Sequence, residues 1–251
     1  MAVSRINQEI AKSLSVENSQ VPPWCVCKAT LEEWITYQEA ENQELRSSRM
    51  EWVDGEIIIV ELPSGEHGDF VGAFDTEVIS QPVVRRYLKS HRDAYVSNRP
   101  PRQPRYEADD SFGPRPRTGS RLPIGLTNFR DWRTLVLEVG YSRGWGTQRG
   151  YLDWKVRKWS RVRGVRFVVC VAVTENLATA EYKLYTVLAD TNRLPDLAPQ
   201  PIVAPSAEIR FDARELLGLE PGDPIPQDPS GLLFPDPLVV DLYQVLQEAL
   251  N

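Results

Sequence analysis

The stretch Thr134-Leu135-Val136-Leu137-Glu138-Val139-Gly140 decides the class of fold that we expect for this chain. It is almost continuously apolar, which is typical of a β-strand that is covered on both of its faces. A second apolar stretch, Val165–Val173, has the same character, and Glu181–Val187 has the pattern of its antiparallel partner. Between them, residues 148–162 carry apolar side chains at helical spacing. This order predicts an α/β fold with a mixed central sheet flanked by helices.

Further helices and strands are predicted before this core. A capping-box pattern at Thr30 predicts a helix over about 31–47. Asp54-Gly55 lies between β-branched and aromatic residues and predicts a hairpin. Residues 63–68 have loop composition, and residues 69–88 have helical periodicity that is interrupted near a proline. A further strand is predicted over 105–112, followed by an irregular segment rich in Pro, Gly and Arg.

The composition changes after Asp190, where ten prolines predict a tail that is mostly loop. Short helices are expected at Ala213–Leu217 and Pro237–Leu250, and the apolar stripe of the second serves as a packing surface or an oligomer contact. We therefore divide the chain into an N-terminal arm and helical extension (1–48), a core (49–189) and a Pro-rich C-terminal appendage (190–251).

Composition excludes several classes of protein. The longest apolar run of the 251-residue chain has seven residues, whereas a membrane-spanning helix needs about 20. We expect a soluble intracellular protein of the cytoplasm or nucleus, with no membrane partner. Three cysteines and two histidines favour neither a disulfide framework nor a closed zinc site. The motifs of phosphate loops, dinucleotide-binding turns and serine-hydrolase elbows are also missing from the sequence, which leaves chemistry built on carboxylates.

The net charge of −6 conceals a strong asymmetry along the chain. The window Arg99–Arg166 holds 16 Lys and Arg residues against six Asp and Glu residues. Clustered arginines are typical of a protein that binds phosphate groups, because guanidinium forks bind phosphate oxygens and release counterions. The alternative is a solvated arginine-rich face that pairs with the acidic remainder of the chain.

Glu138 is the most informative polar residue of the predicted core. A charged carboxylate inside an apolar strand is costly unless a partner offsets its desolvation. A divalent metal would do so, and Asp109-Asp110 at another predicted strand would complete a site of hard oxygen ligands. The alternative is an ion pair between Glu138 and an arginine of the following helix.

Four motifs in chain order carry a resemblance to a known family. They are Glu51-Trp52-Val53-Asp54-Gly55-Glu56, Ser64-Gly65-Glu66-His67, Glu107-Ala108-Asp109-Asp110-Ser111-Phe112-Gly113-Pro114 and Leu137-Glu138-Val139-Gly140-Tyr141-Ser142. With these motifs, residues 50–187 resemble the PD-(D/E)XK nuclease superfamily, and most closely the Uma-type restriction endonuclease family and its eukaryotic relatives. The resemblance implies a restriction-endonuclease-like fold.

The resemblance also implies roles for particular residues. Asp109 and Glu138, with the carbonyl of Val139, would bind Mg²⁺ or Mn²⁺. The register of the motif favours Asp109 over Asp110, although Ala108 replaces the usual proline. Gly140 occupies the position of the usual lysine, so Lys155 or Lys158 would reach the site from the next helix.

Two further residues have supporting roles in this family pattern. Glu51 would tune a second ion, and His67 would lie near the site or simply cap a turn. The expected nucleic-acid contacts are Arg115, Arg117, Arg121, Arg143, Arg149 and Lys158.

The resemblance implies metal-dependent hydrolysis of phosphodiester bonds in DNA by an endonuclease. Two alternatives stay open at this point. A catalytically inactive relative would bind nucleic acid or a protein partner without turnover. A purely structural protein would assemble through the helix at Pro237–Leu250 and would not bind nucleic acid.

Overall fold

The computed structural model describes residues 2–15, 23–62, 64–96, 105–141, 144–187 and 194–251. The helices are α1 (Ala2–Ser15), α2 (Leu31–Gln38), α3 (Gly65–Ile79), α4 (Pro82–Tyr87), α5 (Leu152–Trp159), α6 (Ala213–Leu217) and α7 (Leu242–Ala249). The strands are β1 (Trp24–Lys28), β2 (Met50–Val53), β3 (Glu56–Ile59), β4 (Leu88–Ser90), β5 (Asp110–Pro114), β6 (Leu135–Gly140), β7 (Phe167–Val173), β8 (Ala180–Thr186), β9 (Gln200–Pro201), β10 (Glu208–Phe211) and β11 (Leu238–Asp241).

A six-stranded sheet in the order β4-β5-β6-β7-β8-β9 forms the centre of the fold. β6 and β7 are parallel, and the other neighbouring pairs are antiparallel. The predicted α/β class with a mixed central sheet is therefore confirmed, as is the antiparallel pairing of β7 with β8. The apolar sequences of β6 and β7 are explained by their central position, because helices and the C-terminal segment cover both faces.

Alternate residues of β6 face two different hydrophobic cores. Leu135, Leu137 and Val139 pack in the larger core with α3, α4 and the C-terminal segment. Val136 packs in the other core with α5. Because side chains alternate along a strand, Glu138 lies on the α5 face of the sheet.

A smaller three-stranded sheet, in the order β1-β3-β2, packs with α1 and α2 around a third core. The hairpin at Asp54-Gly55 is confirmed, and both residues have the positive φ that its tight turn requires. The capping box of Thr30 and Glu33 is also confirmed. However, α2 ends at Gln38 instead of near residue 47, because the side chain of Gln43 donates hydrogen bonds to carbonyls of the last turn.

Other predicted boundaries are wrong for local reasons. α3 begins at Gly65, inside the predicted loop, because the Ser64 side chain caps it by accepting the N–H of His67 at 3.1 Å. The predicted helix over 69–88 consists of α3, α4 and the start of β4. The strand predicted over 105–112 is paired only over Asp110–Pro114, apart from an isolated bridge at Tyr106. α5 is shorter than the predicted 148–162.

The C-terminal segment shares the larger core of the central sheet. β9 extends that sheet, and β10 pairs with β11. Phe211 and Leu216 pack among the residues of the larger core, so residue 190 is not a boundary of the hydrophobic core. α6 is confirmed, but the helix predicted over Pro237–Leu250 begins with β11.

The apolar stripe of α7 is largely used inside the molecule. Leu242, Val245 and Leu246 are buried in the larger core, and Leu250 is exposed. Self-association through this helix stays a prediction. Within the described ranges, no helix has the length and hydropathy needed to cross a membrane.

Candidate active site at the junction of the two sheets

Glu138 is fully buried in β6, and two side chains of α5 compensate its carboxylate. Glu138 Oε1 accepts the indole N–H of Trp159 at 2.6 Å and lies 3.4 Å from Lys155 Nζ. Lys155 and Trp159 are four residues apart and share one face of the helix. Among the contacts that the structure shows, the nitrogen donors on this carboxylate come from a lysine and a tryptophan of α5.

Glu51 of β2, in the smaller sheet, contacts the same helix α5 that contacts Glu138. Lys155 Nζ lies 2.6 Å from Glu51 Oε1, and Lys158 Nζ donates to Glu51 Oε2 at 2.8 Å. Burial alone would raise the pKa of Glu51, but the two ammonium groups lower it to about 2. Glu51 is therefore ionised at neutral pH, and its contacts with α5 join β2 to the central sheet.

Asp109 lies next to Glu138 at the start of β5. The antiparallel register pairs Asp110 with Leu137, so the preceding residue, Asp109, is aligned with Glu138. Asp109 Oδ2 accepts the backbone N–H of Val139 at 2.8 Å. The structure thus shows Val139 donating its backbone N–H to Asp109. Metal binding by the Val139 carbonyl stays a prediction.

His67 also lies beside Asp109. Its Nε2 is 3.3 Å from Asp109 Oδ1, an ion-pair distance without hydrogen-bond geometry, and its side chain is buried. His67 is in the first turn of α3, where the helix start at Ser64 positions it. The structure therefore brings together all five residues that the sequence named as catalytic: Asp109, Glu138, Lys155, Glu51 and His67.

Asp110 follows Asp109 in sequence and lines the same cavity as Asp109 and His67. Its strand neighbour Leu137 packs in the larger core, so the Asp110 side chain is on the face opposite to Glu138. Burial and the nearby carboxylate of Asp75 raise the pKa of Asp110 to about 8. The assignment of Asp109 as the ligand rests on the register of the motif and stays a prediction.

Sequence reasoning missed two residues of this cluster. Trp159 donates to Glu138, and its spacing of four residues from Lys155 is the signal that could have indicated it. Glu61 is buried and accepts the N–H of Tyr141 at 3.1 Å through Oε2. Glu61 follows the apolar residues of β3 closely, which places a carboxylate at the end of a buried strand just as at Glu138.

The acidic residues fit a hard divalent cation in chemical type. Mg²⁺ takes oxygen ligands and usually binds one or two protein carboxylates, with water and phosphate oxygens completing its shell. Asp109 and Glu138 supply two such carboxylates from aligned positions of β5 and β6. Within the described part of the chain, no group of three or more Cys, His, Asp or Glu side chains is arranged to hold a metal ion.

Three of the residues predicted to contact nucleic acid follow β5 in the chain. β5 runs away from Asp109, so Arg115 lies about 20 Å along the strand direction, at about 3.3 Å per residue; Arg117 and Arg121 come after it. Contacts of these three arginines with nucleic acid stay a prediction. Arg143 lies outside the described residues.

The two remaining basic residues of this set are engaged by carboxylates. Arg149 Nη2 donates to Asp54 Oδ2 at 2.6 Å, and its Nη1 lies 3.7 Å from Glu56 Oε2. Lys158 is paired with Glu51 and also lies 3.8 Å from the ring centroid of Trp154. Both residues stabilise the junction between the hairpin and α5.

Comparison with solved structures finds a similarity to the crystal structure of a "putative nuclease belonging to DUF820" from Anabaena variabilis. The two chains are 12% identical, with a TM-score of 0.43, and the alignment covers 88% of this chain and 98% of the other. No protein-family model matches the chain, and no curated protein matches it. Membership of the Uma-type family stays a prediction.

Proposed function

We propose that this protein is a metal-dependent nuclease that hydrolyses phosphodiester bonds, with DNA as its substrate. The observation that carries the proposal is the position of Lys155, whose ammonium lies between the buried carboxylates of Glu138 and Glu51. The four sequence motifs imply a lysine beside the acidic pair Asp109 and Glu138, and Lys155 contacts Glu138 of that pair together with Glu51 of the smaller sheet. The lysine comes from α5, which compensates for Gly140 at the usual lysine position.

In this proposal each residue has a distinct task. Asp109 and Glu138 would hold Mg²⁺ or Mn²⁺, which polarises the scissile phosphate and lowers the pKa of an attacking water. Lys155 places a positive charge next to the group that gains negative charge during the reaction. Glu51, ionised at neutral pH, orients Lys155 and Lys158. His67 restricts the orientation of the Asp109 carboxylate.

The test measures cleavage of labelled DNA by variants of the full chain. We expect Asp109→Asn and Glu138→Gln each to lower the rate by about a thousandfold, the upper range for removing one electrostatic contact in an active site. Asp110→Asn is the matched control: it neutralises the adjacent carboxyl group on the opposite face and should keep the rate.

Circular dichroism of each variant separates loss of chemistry from loss of folding. Cleavage that continues unchanged in EDTA would contradict metal dependence. Full activity of Asp109→Asn would contradict the assignment of the ligand.

A second candidate function is nucleic-acid binding without turnover. It is favoured by the contacts of Lys155, which lies closer to Glu51 than to Glu138, and by the 2.6 Å hydrogen bond that Trp159 donates to Glu138. Such contacts stabilise the carboxylates without a metal. This candidate predicts salt-sensitive binding of DNA and no cleavage by the wild-type chain in either Mg²⁺ or Mn²⁺.

A further inference from the structure

A basic cavity lies along β4, at the edge of the central sheet. Its volume is about 620 Å³, and we call it the edge cavity. It is lined by Lys89, His91, Arg92, Arg130 and Arg133, among other residues.

The positive charges of the edge cavity lack matching carboxylates. Among the residues that the structure describes, no Asp or Glu forms an ion pair with Lys89, Arg130 or Arg133. Asp131 also lines the cavity; its Oδ2 accepts a hydrogen bond from Asn128 at 2.7 Å, and its carboxylate acts on Arg133 without forming an ion pair with it. Like charges that converge in this way repel one another, and a bound anion would relieve the repulsion.

Arg133 is a buried residue of the edge cavity, and two hydrogen bonds hold its side chain. Arg133 Nε donates to Ser111 Oγ at 3.0 Å, and Nη1 donates to the carbonyl of Arg130 at 2.5 Å. These bonds hold the guanidinium group in place before any ligand arrives. His91 Nε2 is buried in the same cavity and has no hydrogen-bond partner among the described residues.

The lowered pKa of His91 agrees with the concentration of positive charge around the edge cavity. Burial lowers the pKa of the imidazole to about 3, and Arg133, Lys89, Arg115 and Arg130 all act in the same direction. The imidazole is therefore neutral at physiological pH, and the cationic neighbours account for part of that shift.

The edge cavity shares Arg92 with a second cavity of about 340 Å³, which is also lined by His67 and Asp109. The second cavity has mixed charge, because Asp75, Asp93 and Asp110 line it together with Arg46 and Arg49. Within the described ranges, Arg49 Nη1 is buried there without a hydrogen-bond partner, and the exposed Arg92 side chain lies 3.4 Å from Asp75 Oδ2. Arg92 thus lines both the cavity beside Asp109 and the edge cavity.

We propose that the edge cavity binds the phosphates of a nucleic-acid strand that extends from the acidic cluster across β4. The inference rests on the proposed nuclease function for its direction, and it adds the edge cavity to the backbone contacts predicted for arginines 115, 117 and 121. Guanidinium and ammonium groups bind phosphate oxygens without reading the bases, so the contact fixes the path of the strand and carries no sequence preference.

The experiment measures binding of a fluorescein-labelled single-stranded DNA in EDTA, so that hydrolysis plays no part. We expect Lys89→Ala/Arg130→Ala to weaken binding about tenfold at low salt and to lower the salt slope by roughly 0.7 for each phosphate that the variant no longer neutralises. The control Lys12→Ala/Arg210→Ala removes the same charge from exposed positions of α1 and β10 and should bind like the wild type.

Three results would overturn the inference. The first is equal affinity and equal salt slope for the Lys89→Ala/Arg130→Ala variant and the wild type. The second is an equal loss of affinity in the control. The third is a wild-type chain that binds inorganic phosphate or a mononucleotide but not the oligonucleotide, since the cavity would then hold a small phosphorylated ligand.

Failure of the nuclease proposal gives a different pattern of results. Binding that depends on Lys89 and Arg130 without any cleavage supports the edge cavity and contradicts hydrolysis. If the Lys89→Ala/Arg130→Ala variant cleaves and binds DNA like the wild type, phosphate binding in the edge cavity is contradicted and the nuclease proposal is not.

Discussion

The two charge clusters of this molecule differ in how their cations are compensated. At the sheet junction, Lys155 and Lys158 each lie within 3 Å of Glu51, and the pairs are largely buried. In the edge cavity, Lys89, Arg130 and Arg133 converge without such partners among the described residues. Paired charges hold a structure in place, whereas convergent charges of one sign favour an external anion. The basic window of the sequence therefore contains two kinds of site.

The largest expected effect on stability comes from removing the central cation of the junction. Lys155→Met should lower the free energy of unfolding by about 4 kcal/mol, because it leaves Glu51 and Glu138 partly uncompensated in a buried place. Urea denaturation at pH 7 measures this change. Lys89→Met in the edge cavity is the matched control and should change stability by no more than about 0.5 kcal/mol. Equal effects of the two substitutions would remove the distinction between the clusters.

Glu51→Gln should show a smaller effect with a defined pH dependence. The folded pKa of Glu51 is about 2, below its ordinary value of 4.5. A carboxylate with a lowered pKa contributes stability that is complete above the ordinary value and is lost as pH falls toward the folded value. The variant should be about 3 kcal/mol less stable than the wild type at pH 7, and the difference should shrink below about pH 4.5. A difference independent of pH would contradict an ionic role.

Asp110→Asn tests the carboxyl group that faces the other core. The folded pKa of Asp110 is about 8, above its ordinary value of 3.8, so ionisation opposes folding as pH rises between these values. The neutral variant should therefore be more stable than the wild type at pH 8 and differ little from it at pH 4. Thermal unfolding at both pH values measures this. A loss of stability at pH 8 would show that the carboxylate is compensated.

The smallest effect is expected for an exposed cation of the edge cavity. Arg130→Ala should leave stability within about 0.5 kcal/mol of the wild type, because Arg130 has no ion-pair partner among the described residues. Inorganic phosphate should raise the melting temperature of the wild type more than that of the variant, at matched ionic strength, since only the wild type keeps the full set of cations. Equal shifts would indicate that phosphate acts through general salt effects.

Much of the fold could be predicted because its signals are local. The apolar strands, the hairpin at Asp54-Gly55 and the cap at Thr30 depend on residues close together in sequence, and all three are confirmed. The end of α2 could not be predicted, because it depends on a side-chain contact from Gln43. That residues after 190 share the larger core could not be predicted either, since proline content says nothing about which distant residues a segment covers.

The candidate site shows the same division between local and distant information. Asp109, Glu138 and Lys155 were identified from motif order, and the structure brings them together. The roles of Trp159 and Glu61 were missed, because their contacts depend on the meeting of separate elements. The separation of Arg115 from Asp109 along β5 could not be predicted, because a charge count along the chain does not show where a strand carries the residues that follow it.

The sequence by itself determined the central apolar strands, the hairpin at Asp54-Gly55, the cap at Thr30 and the identity of the acidic and basic residues, because periodicity, capping and turn chemistry act over a few residues. Only the tertiary structure decided that Lys155 meets both Glu138 and Glu51 and that Arg92 lines two cavities. The physical reason is that strand register and the packing of α5 between two sheets set the directions of side chains far apart in the chain.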